Sequence, residues 1–489
     1  MTSDAGSNQS RIRQDNAIQT QKWQALAIQI GEQLDLEDPL KEQYQNTITG
    51  SKTCLGKPLI NLCQDKNRFI SVLIAALLSR RTMLLPANTA TGTQRALVAR
   101  YQGMILHDGN WQENDANTID ISKLDFCRSD LVHADAIKIS QSIDTIPDDF
   151  PAVIVHTSGS TGEPTPIHKN WQTLKQSTMG NAQEMFGKQI PDHIIATVPS
   201  QHMWGFETSA LLPFFKDINV HPAQPFFPQD IADAITETIE SDPTKRVCLI
   251  STPVHLRALI QSGISLQPID QVLCATSPLD KDLAYAIEEK LNCSLTEIYG
   301  CSEAGSLAKR EPTEESNWKL FDHLVLHQEG EKAKAQKKFY ISSNYFTKPI
   351  PLADNLLLSN VNNLASTAEV RDSSSAISKP TYFALAGRQD DLLEIGGKKQ
   401  YLSGITAILQ THPKVRDAYC FKMPSQQDTR PRIALIVEAT EIGNKEIKRY
   451  LADKIDSLFI PKIIKVVDKL PREINGKLTK QRLLSLVEK

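Results

Sequence analysis

Residues 152–164 read Ala-Val-Ile-Val-His-Thr-Ser-Gly-Ser-Thr-Gly-Glu-Pro, an apolar run that ends in six consecutive small residues, Thr157, Ser158, Gly159, Ser160, Thr161 and Gly162, each glycine or hydroxyl-bearing. Such a loop can turn its backbone N–H groups and hydroxyls onto a phosphate chain, an approach that bulky side chains would block. It is not a Walker P-loop, because no Gly-Lys-Ser/Thr follows. A surface loop of the same composition is the competing reading, and the apolar strand directly before it weighs against that one. A second candidate stands near the other end of the chain, where Asn475-Gly476 is a tight-turn signal that projects Lys477 just past a turn tip. A mobile ammonium can neutralise developing negative charge without making a permanent bond. Taken alone, a lysine after a turn is more often a solvated surface charge.

The elements around these residues alternate. Short β-branched runs at 153–155, 193–198 and 247–251 are each followed by a loop and then a helix-like segment, such as 254–262. Residues 68–85 read as a buried helix running into the short strand Met83-Leu84-Leu85, with a further helix over 92–101 after Pro86-Ala87-Asn88. Strands alternating with helices predict an α/β fold with parallel-type sheets layered with helices. Past Gly387 the pattern changes, with a β-like run at 432–437, a charged helix at 444–456 and a strand at 463–467. This predicts a polar, disordered tail over 1–20, a large N-terminal domain over 21–387 beginning with helical spacing at 23–33, and a small α+β domain over 388–489.

The bulk properties narrow the class. The 489 residues exceed a typical single domain, and 40% hydrophobic with 23% charged residues suits a globular protein with a sizeable core. A net charge of -3 advertises neither nucleic acid nor an anionic membrane. The eight cysteines form no C-x-x-C pair and read as reduced thiols of a cytoplasmic protein. The N-terminus has no apolar run resembling a signal peptide, and the longest apolar run, 69–78, is half a membrane span.

The loop Thr157-Ser-Gly-Ser-Thr-Gly-x-Pro164 closely resembles the phosphate-loop signature of the acyl-adenylate-forming, AMP-dependent synthetase superfamily. Three more signatures follow in that family's order. Ile298-Tyr299-Gly300-Cys301-Ser302-Glu303 resembles the Tyr-Gly-x-Thr/Ser-Glu segment, which implies Tyr299 near the adenine, Ser302 in the nucleotide site and Glu303 on Mg²⁺. A single carboxylate fits, since Mg²⁺ is usually held by one or two carboxylates plus phosphate oxygens. Gly387-Arg388-Gln389-Asp390 resembles the inter-domain hinge, implying Arg388 on the nucleotide and Asp390 as pivot; by spacing, Asp372 would hold the ribose hydroxyls, although Val370-Arg371 replaces the usual Thr-Gly. Leu470-Pro-Arg-Glu-Ile-Asn-Gly-Lys477 resembles the segment whose lysine catalyses adenylation. Pro199-Ser-Gln-His202-Met-Trp-Gly-Phe-Glu207 is similar to the segment whose histidine or aromatic residue gates the acyl site, with core packing of His202 the alternative. Glu207 is its only acid, which weighs against an α-amino acid substrate. The resemblance implies an acyl-CoA synthetase-like fold with a mobile C-terminal domain, ATP and Mg²⁺ as cofactors, and CoA or a carrier-protein phosphopantetheine as the thiol.

Several strings look specifically like the bacterial AMP-ligases of aryl-polyene and fatty-acid-like clusters: residues 84–88, 251–257, Lys309-Arg310 with Trp318, and Pro166-Ile-His-Lys169 after the loop. That branch implies an aryl acid, hydroxybenzoate- or cinnamate-like, with an acyl carrier protein as partner. Trp204 and Phe206 either suit a flat ring or pack the core. The chain departs from the pattern at Thr165-Pro166, where the family's loop lysine is missing, with Lys169 a possible substitute, and at Lys399, where the family has a second hinge-region arginine. A fatty-acyl ligase of the same fold and a catalytically degenerate nucleotide-binding protein remain the alternatives.

Overall fold

The computed structural model describes residues 4–37, 56–88, 90–111, 117–125, 141–157, 165–329, 338–359, 374–376, 381–388, 391–395, 398–423, 432–472, 478 and 480–487. The contacts divide the chain into two units, Met1–Ser316 and Asn317–Lys489. The boundary expected at 387–391 lies inside the second.

The first unit opens with a helix, Asp4–Glu37. Residues 4–20, expected as part of a disordered tail over 1–20, lie in this helix. Trp23, Leu26, Ile30 and Leu34 are fully buried along it, and the Trp23 indole donates to Asn67 Oδ1 at 2.9 Å. Once a packed segment nucleates a helix, each further turn costs little, and no proline interrupts the polar turns before it. The next helix, Lys66–Leu78, starts on an Asp65 cap whose side chain accepts from the Arg68 amide. It is apolar all round and buried from Phe69 to Leu77.

A six-stranded sheet packs beside these helices in the order Thr118–Asp120, Met104–His107, Leu59–Asn61, Met83–Leu85, Val153–Thr157, Thr165–Lys169. Its first five strands are parallel. The last runs antiparallel to Val153–Thr157, with Thr157 opposite Thr165 and Val153 opposite Lys169. A second set of strands in this unit runs Gly305–Arg310, Ser294–Cys301, Gln271–Cys274, Val247–Ser251, His193–Ala196, Asn219–Val220. These are parallel apart from the hairpin Ser294–Cys301/Gly305–Arg310. The amphipathic helices Pro228–Ser241, Pro253–Gln261 and Lys281–Leu291 bury Ile235, Leu256 and Ile287 against Leu249 and Val272 of those strands. The parallel α/β expectation thus holds, with short, largely buried strands rich in apolar residues.

The second unit contains the antiparallel group Asp354–Leu358, Tyr382–Arg388, Trp318–Leu320 and a four-stranded sheet in the order Ile350–Pro351, Lys338–Ser342, Val325–Glu329, Ser374–Ala376. Its last part joins the hairpin Leu392–Ile395/Lys398–Tyr401 to a three-stranded sheet, Asp417–Lys422, Ile433–Glu438, Ile463–Val467. The helices Leu402–Gln410 and Asn444–Ala452 cover that sheet through Ile405, Leu409, Ile447 and Leu451. The charged helix predicted to run to 456 stops at Ala452, and a short 3₁₀ turn, Ser457–Phe459, follows. Among the described residues no helix is long and apolar enough to cross a membrane. Cys63, Cys248, Cys274, Cys293, Cys301 and Cys420 are free thiols.

Candidate active site

The glycine-hydroxyl loop connects Val153–Thr157 to Thr165–Lys169, the antiparallel pair at the edge of the first sheet. Thr157 closes the first strand of the pair and is half-buried. Ser158, Gly159, Ser160, Thr161 and Gly162 lie outside the described residues. The strand that leaves the loop carries Lys169 at its far end. Lys169 is 3% exposed, and its ammonium donates to the backbone oxygen of Glu303. Burial pushes its pKa down, while the carboxylates of Glu207 and Glu303 oppose the shift. Lys169, weighed as a substitute for the missing loop lysine, is thus engaged with the Glu303 turn.

Glu303 stands in the turn of the hairpin Ser294–Cys301/Gly305–Arg310, and its side chain is exposed. Register shifts between Tyr299 and Gly300, and a Cβ on Gly300 would sit 2.4 Å from the Gly305 carbonyl oxygen. Gly305 itself has φ +83°, the left-handed region that glycine adopts without strain. Tyr299 is buried at 9% exposure and Ser302 is half-buried. Ser302 and Glu303 thus share one turn, and Tyr299 lies on the strand that leads into it.

The segment 199–207 reaches the same hairpin. His202 is the N-terminal cap residue of the short helix Met203–Phe206, which passes into a π-turn, Glu207–Leu211. Two side chains anchor the loop before it. Lys66 Nζ donates to the Val198 carbonyl at 3.0 Å, and Gln201 Nε2 to the Cys63 carbonyl at 3.0 Å. Phe206 is fully buried edge-to-face on Phe69, centroids 6.3 Å apart, so it packs the core and offers no face to a substrate ring. Trp204 is 7% exposed, and its indole N–H has no hydrogen-bond partner among the described residues. Glu207 is 4% exposed. It accepts from Asn181 Nδ2, from the Ser306 amide at 3.1 Å and from Ser306 Oγ at 3.0 Å. Burial raises its pKa, opposed by these hydrogen bonds and by the charge of Lys169. The acid that weighed against an amino-acid substrate is thus already engaged inside the protein.

The structure therefore brings Lys169, Glu207 and the Glu303 turn together. Asp372 and Lys477 lie outside the described residues, as do Gln389 and Asp390; Arg388 ends the strand Tyr382–Arg388, and its side chain is likewise outside them. Sequence reading missed Asn181 and Ser306. The available signal was Glu207 itself, a lone acid in the run Met203-Trp-Gly-Phe-Glu-Thr-Ser-Ala-Leu-Leu, since a buried carboxylate needs partners. Several strings singled out by resemblance turn out to hold the framework. Thr252 caps the helix Pro253–Gln261, His255 Nδ1 is 2.8 Å from Thr197 Oγ1, Arg257 pairs with Asp280 at 2.6 Å, and Arg310 pairs with the buried Glu297 at 2.6 Å.

The fold is of the acyl-CoA synthetase type. It is similar to the O-succinylbenzoate coenzyme A synthetase of Bacillus subtilis solved with AMP, with a TM-score of 0.68 at 16% identity, covering 94% of this chain and 92% of that one. It is also similar to an anthranilate CoA ligase in complex with anthranoyl-AMP, with a TM-score of 0.65 at 14% identity over 94% and 92%. In sequence, a 2-succinylbenzoate–CoA ligase of Bacillus cereus is 22% identical over 400 residues, 77% of this chain and 80% of that protein. The AMP-binding enzyme family matches residues 75–324, and the AMP-binding enzyme C-terminal domain matches 405–477. The chain belongs to this family, the acyl-adenylate-forming superfamily, and is an AMP-forming acid–thiol ligase.

Proposed function

We propose that this ligase uses ATP to convert an aryl carboxylic acid, of the hydroxybenzoate or cinnamate kind, into an acyl-adenylate with release of pyrophosphate. The acyl group then passes to a phosphopantetheine thiol, on an acyl carrier protein or on CoA. The observation that carries this reading is the tie between the strand leaving the glycine-hydroxyl loop and the turn that presents Glu303. A strand that follows the glycine-hydroxyl loop and the turn that carries the Glu303 carboxylate are in contact, which supports a phosphate loop and a metal ligand acting together. CoA ligases acting on succinylbenzoate and anthranilate among the similar proteins support an aryl acid and a thiol acceptor.

In this reading Thr157 to Gly162 cradle the phosphates through backbone N–H groups and hydroxyls. Tyr299 and Ser302 border the nucleotide, Asp372 holds the ribose hydroxyls, Arg388 contacts the nucleotide, and His202 gates the acyl pocket. The donor set suits Mg²⁺. Glu303 presents one exposed carboxylate, and no group of three metal-ligating side chains occurs among the described residues. That leaves the remaining positions to phosphate oxygens and water. When bound, Mg²⁺ would neutralise phosphate charge, with Glu303 as its protein ligand. Lys477 stabilises the charge that grows on the α-phosphoryl oxygens as the carboxylate attacks. Residues 388–489 act as a small domain that turns about Asp390, bringing Lys477 in for adenylation and withdrawing it for thiol attack.

ATP–pyrophosphate exchange over a panel of benzoates, cinnamates and straight-chain acids tests the substrate class. The aryl acids are expected to drive exchange most efficiently. Preference for straight-chain acids would replace the aryl reading with a fatty-acyl one, and silence on every acid would favour a degenerate nucleotide-binding protein.

A further inference from the structure

Two opposite charges are buried behind the Glu303 turn, and nothing in the reaction above uses them. Lys169 comes from the edge strand of the first sheet, and Glu207 from the π-turn Glu207–Leu211 that follows the His202 helix. Both are nearly sealed from water, at 3% and 4% exposure. A buried charge persists only where hydrogen bonds replace its hydration, and here those bonds converge on one short stretch of backbone. Lys169 donates to the carbonyl of Glu303. Glu207 accepts from both the amide and the hydroxyl of Ser306, three residues further on. Asn181 Nδ2 donates to Glu207 Oε1, while its own Oδ1 has no partner among the described residues. A Cβ on Gly305 would lie 3.3 Å from Glu207 Oε2, so the carboxylate fits closely beneath the turn.

We propose that Lys169 and Glu207 are positioning residues that hold the Glu303 turn, Lys169 through the Glu303 carbonyl within it and Glu207 through Ser306 on the strand just after it, and so aim the Glu303 carboxylate at the metal–triphosphate. The proposal rests on the assignment of Glu303 to Mg²⁺ made above. Because Lys169 ends the strand that begins at the phosphate loop, the clamp also couples the loop's supporting hairpin to the metal ligand.

The test uses the full-length enzyme carrying Lys169→Met, Glu207→Gln, Ser306→Ala or Glu303→Gln. Two quantities are read: hydrogen exchange of peptides covering 298–308 without nucleotide or metal, and the Mg²⁺ concentration giving half-maximal ATP–pyrophosphate exchange at saturating ATP and acid. Lys169→Met and Glu207→Gln should speed deuterium uptake in the turn and raise the Mg²⁺ midpoint on the order of tenfold, the worth of one charge-assisted hydrogen bond. Ser306→Ala, which removes only a hydroxyl, should do both to a smaller degree, and it decides the matter if the charge variants fail to fold. Unchanged uptake in the turn overturns the clamp, as does a lower Tm with the Mg²⁺ midpoint unmoved. A Glu303→Gln enzyme with an unshifted midpoint overturns the metal assignment instead, and the turn's uptake still judges the clamp by itself.

Discussion

Lys66 shows how a single buried charge can serve the site from behind. Its ammonium, 1% exposed, holds the Val198 carbonyl just before the His202 loop. Burial pushes its pKa down to about 7 from the usual 10.5, partly opposed by Asp65. Between those two values the unfolded chain binds the proton and the folded chain does not, so stability rises with pH across that window; below about 7 the full cost of the buried charge is present. Urea unfolding at pH 7 and pH 10 should therefore show the wild type gaining on the order of a few kcal/mol more than Lys66→Met over the same interval. Equal gains in both proteins would mean that Lys66 keeps its proton in the fold. Nothing local in Asp65-Lys66-Asn67 marked this lysine as buried, because a lysine in a first helical turn is ordinarily solvated. Phe206 is the converse case: its aromatic type was legible, but whether it faced a ligand or Phe69 depended on a helix more than a hundred residues away.

At the scale of elements, short apolar runs gave strands wherever they were expected, at 153–157, 193–196, 247–251, 433–438 and 463–467. Their boundaries moved by a residue or two because hydrogen bonding, not side-chain type, ends a strand. The first helix was not legible over 4–20 because the sequence of its outer turns carries no apolar stripe, and those turns extend from a packed segment. The hairpin bearing Glu303 depends on glycine at 300. In Gly300→Ala the new Cβ would meet the Gly305 carbonyl at 2.4 Å, and backbone must move to admit it. Thermal unfolding should report a loss of about 1–3 kcal/mol, and ATP–pyrophosphate exchange should fall by at least tenfold, more than the stability loss explains at a temperature where the variant is folded. A variant with normal exchange would show that the turn tolerates a wider shape.

For the molecule as a whole, adenylation and thiol transfer have opposed needs: the first gathers charge-neutralising groups around the triphosphate, and the second needs an open path for a thiol. If residues 388–489 turn about Asp390 between the two, Lys477 belongs to one arrangement only. Lys477→Ala should lower ATP–pyrophosphate exchange by a factor on the order of a hundred or more, the loss seen when a preorganised charge stabiliser is removed, while thioester formation from a supplied acyl-adenylate and CoA stays within a few-fold of wild type. Equal loss in both half-reactions would place Lys477 in a single fixed site and remove the reason for a pivot.

The sequence by itself determined the family and the alternation of strand and helix, because four signatures in fixed order and runs of apolar residues are local properties that a linear string displays. It also marked Thr157 to Gly162 and Lys477 as candidates by residue type and turn chemistry, and Glu303 by the resemblance of residues 298–303 to a family segment. Only the tertiary structure decided that Lys169 reaches the Glu303 carbonyl 134 positions away and that Glu207 grips Ser306 across 99. Those meetings follow from how the crossovers stack one strand edge against another hairpin, and periodicity within a segment carries no record of that stacking.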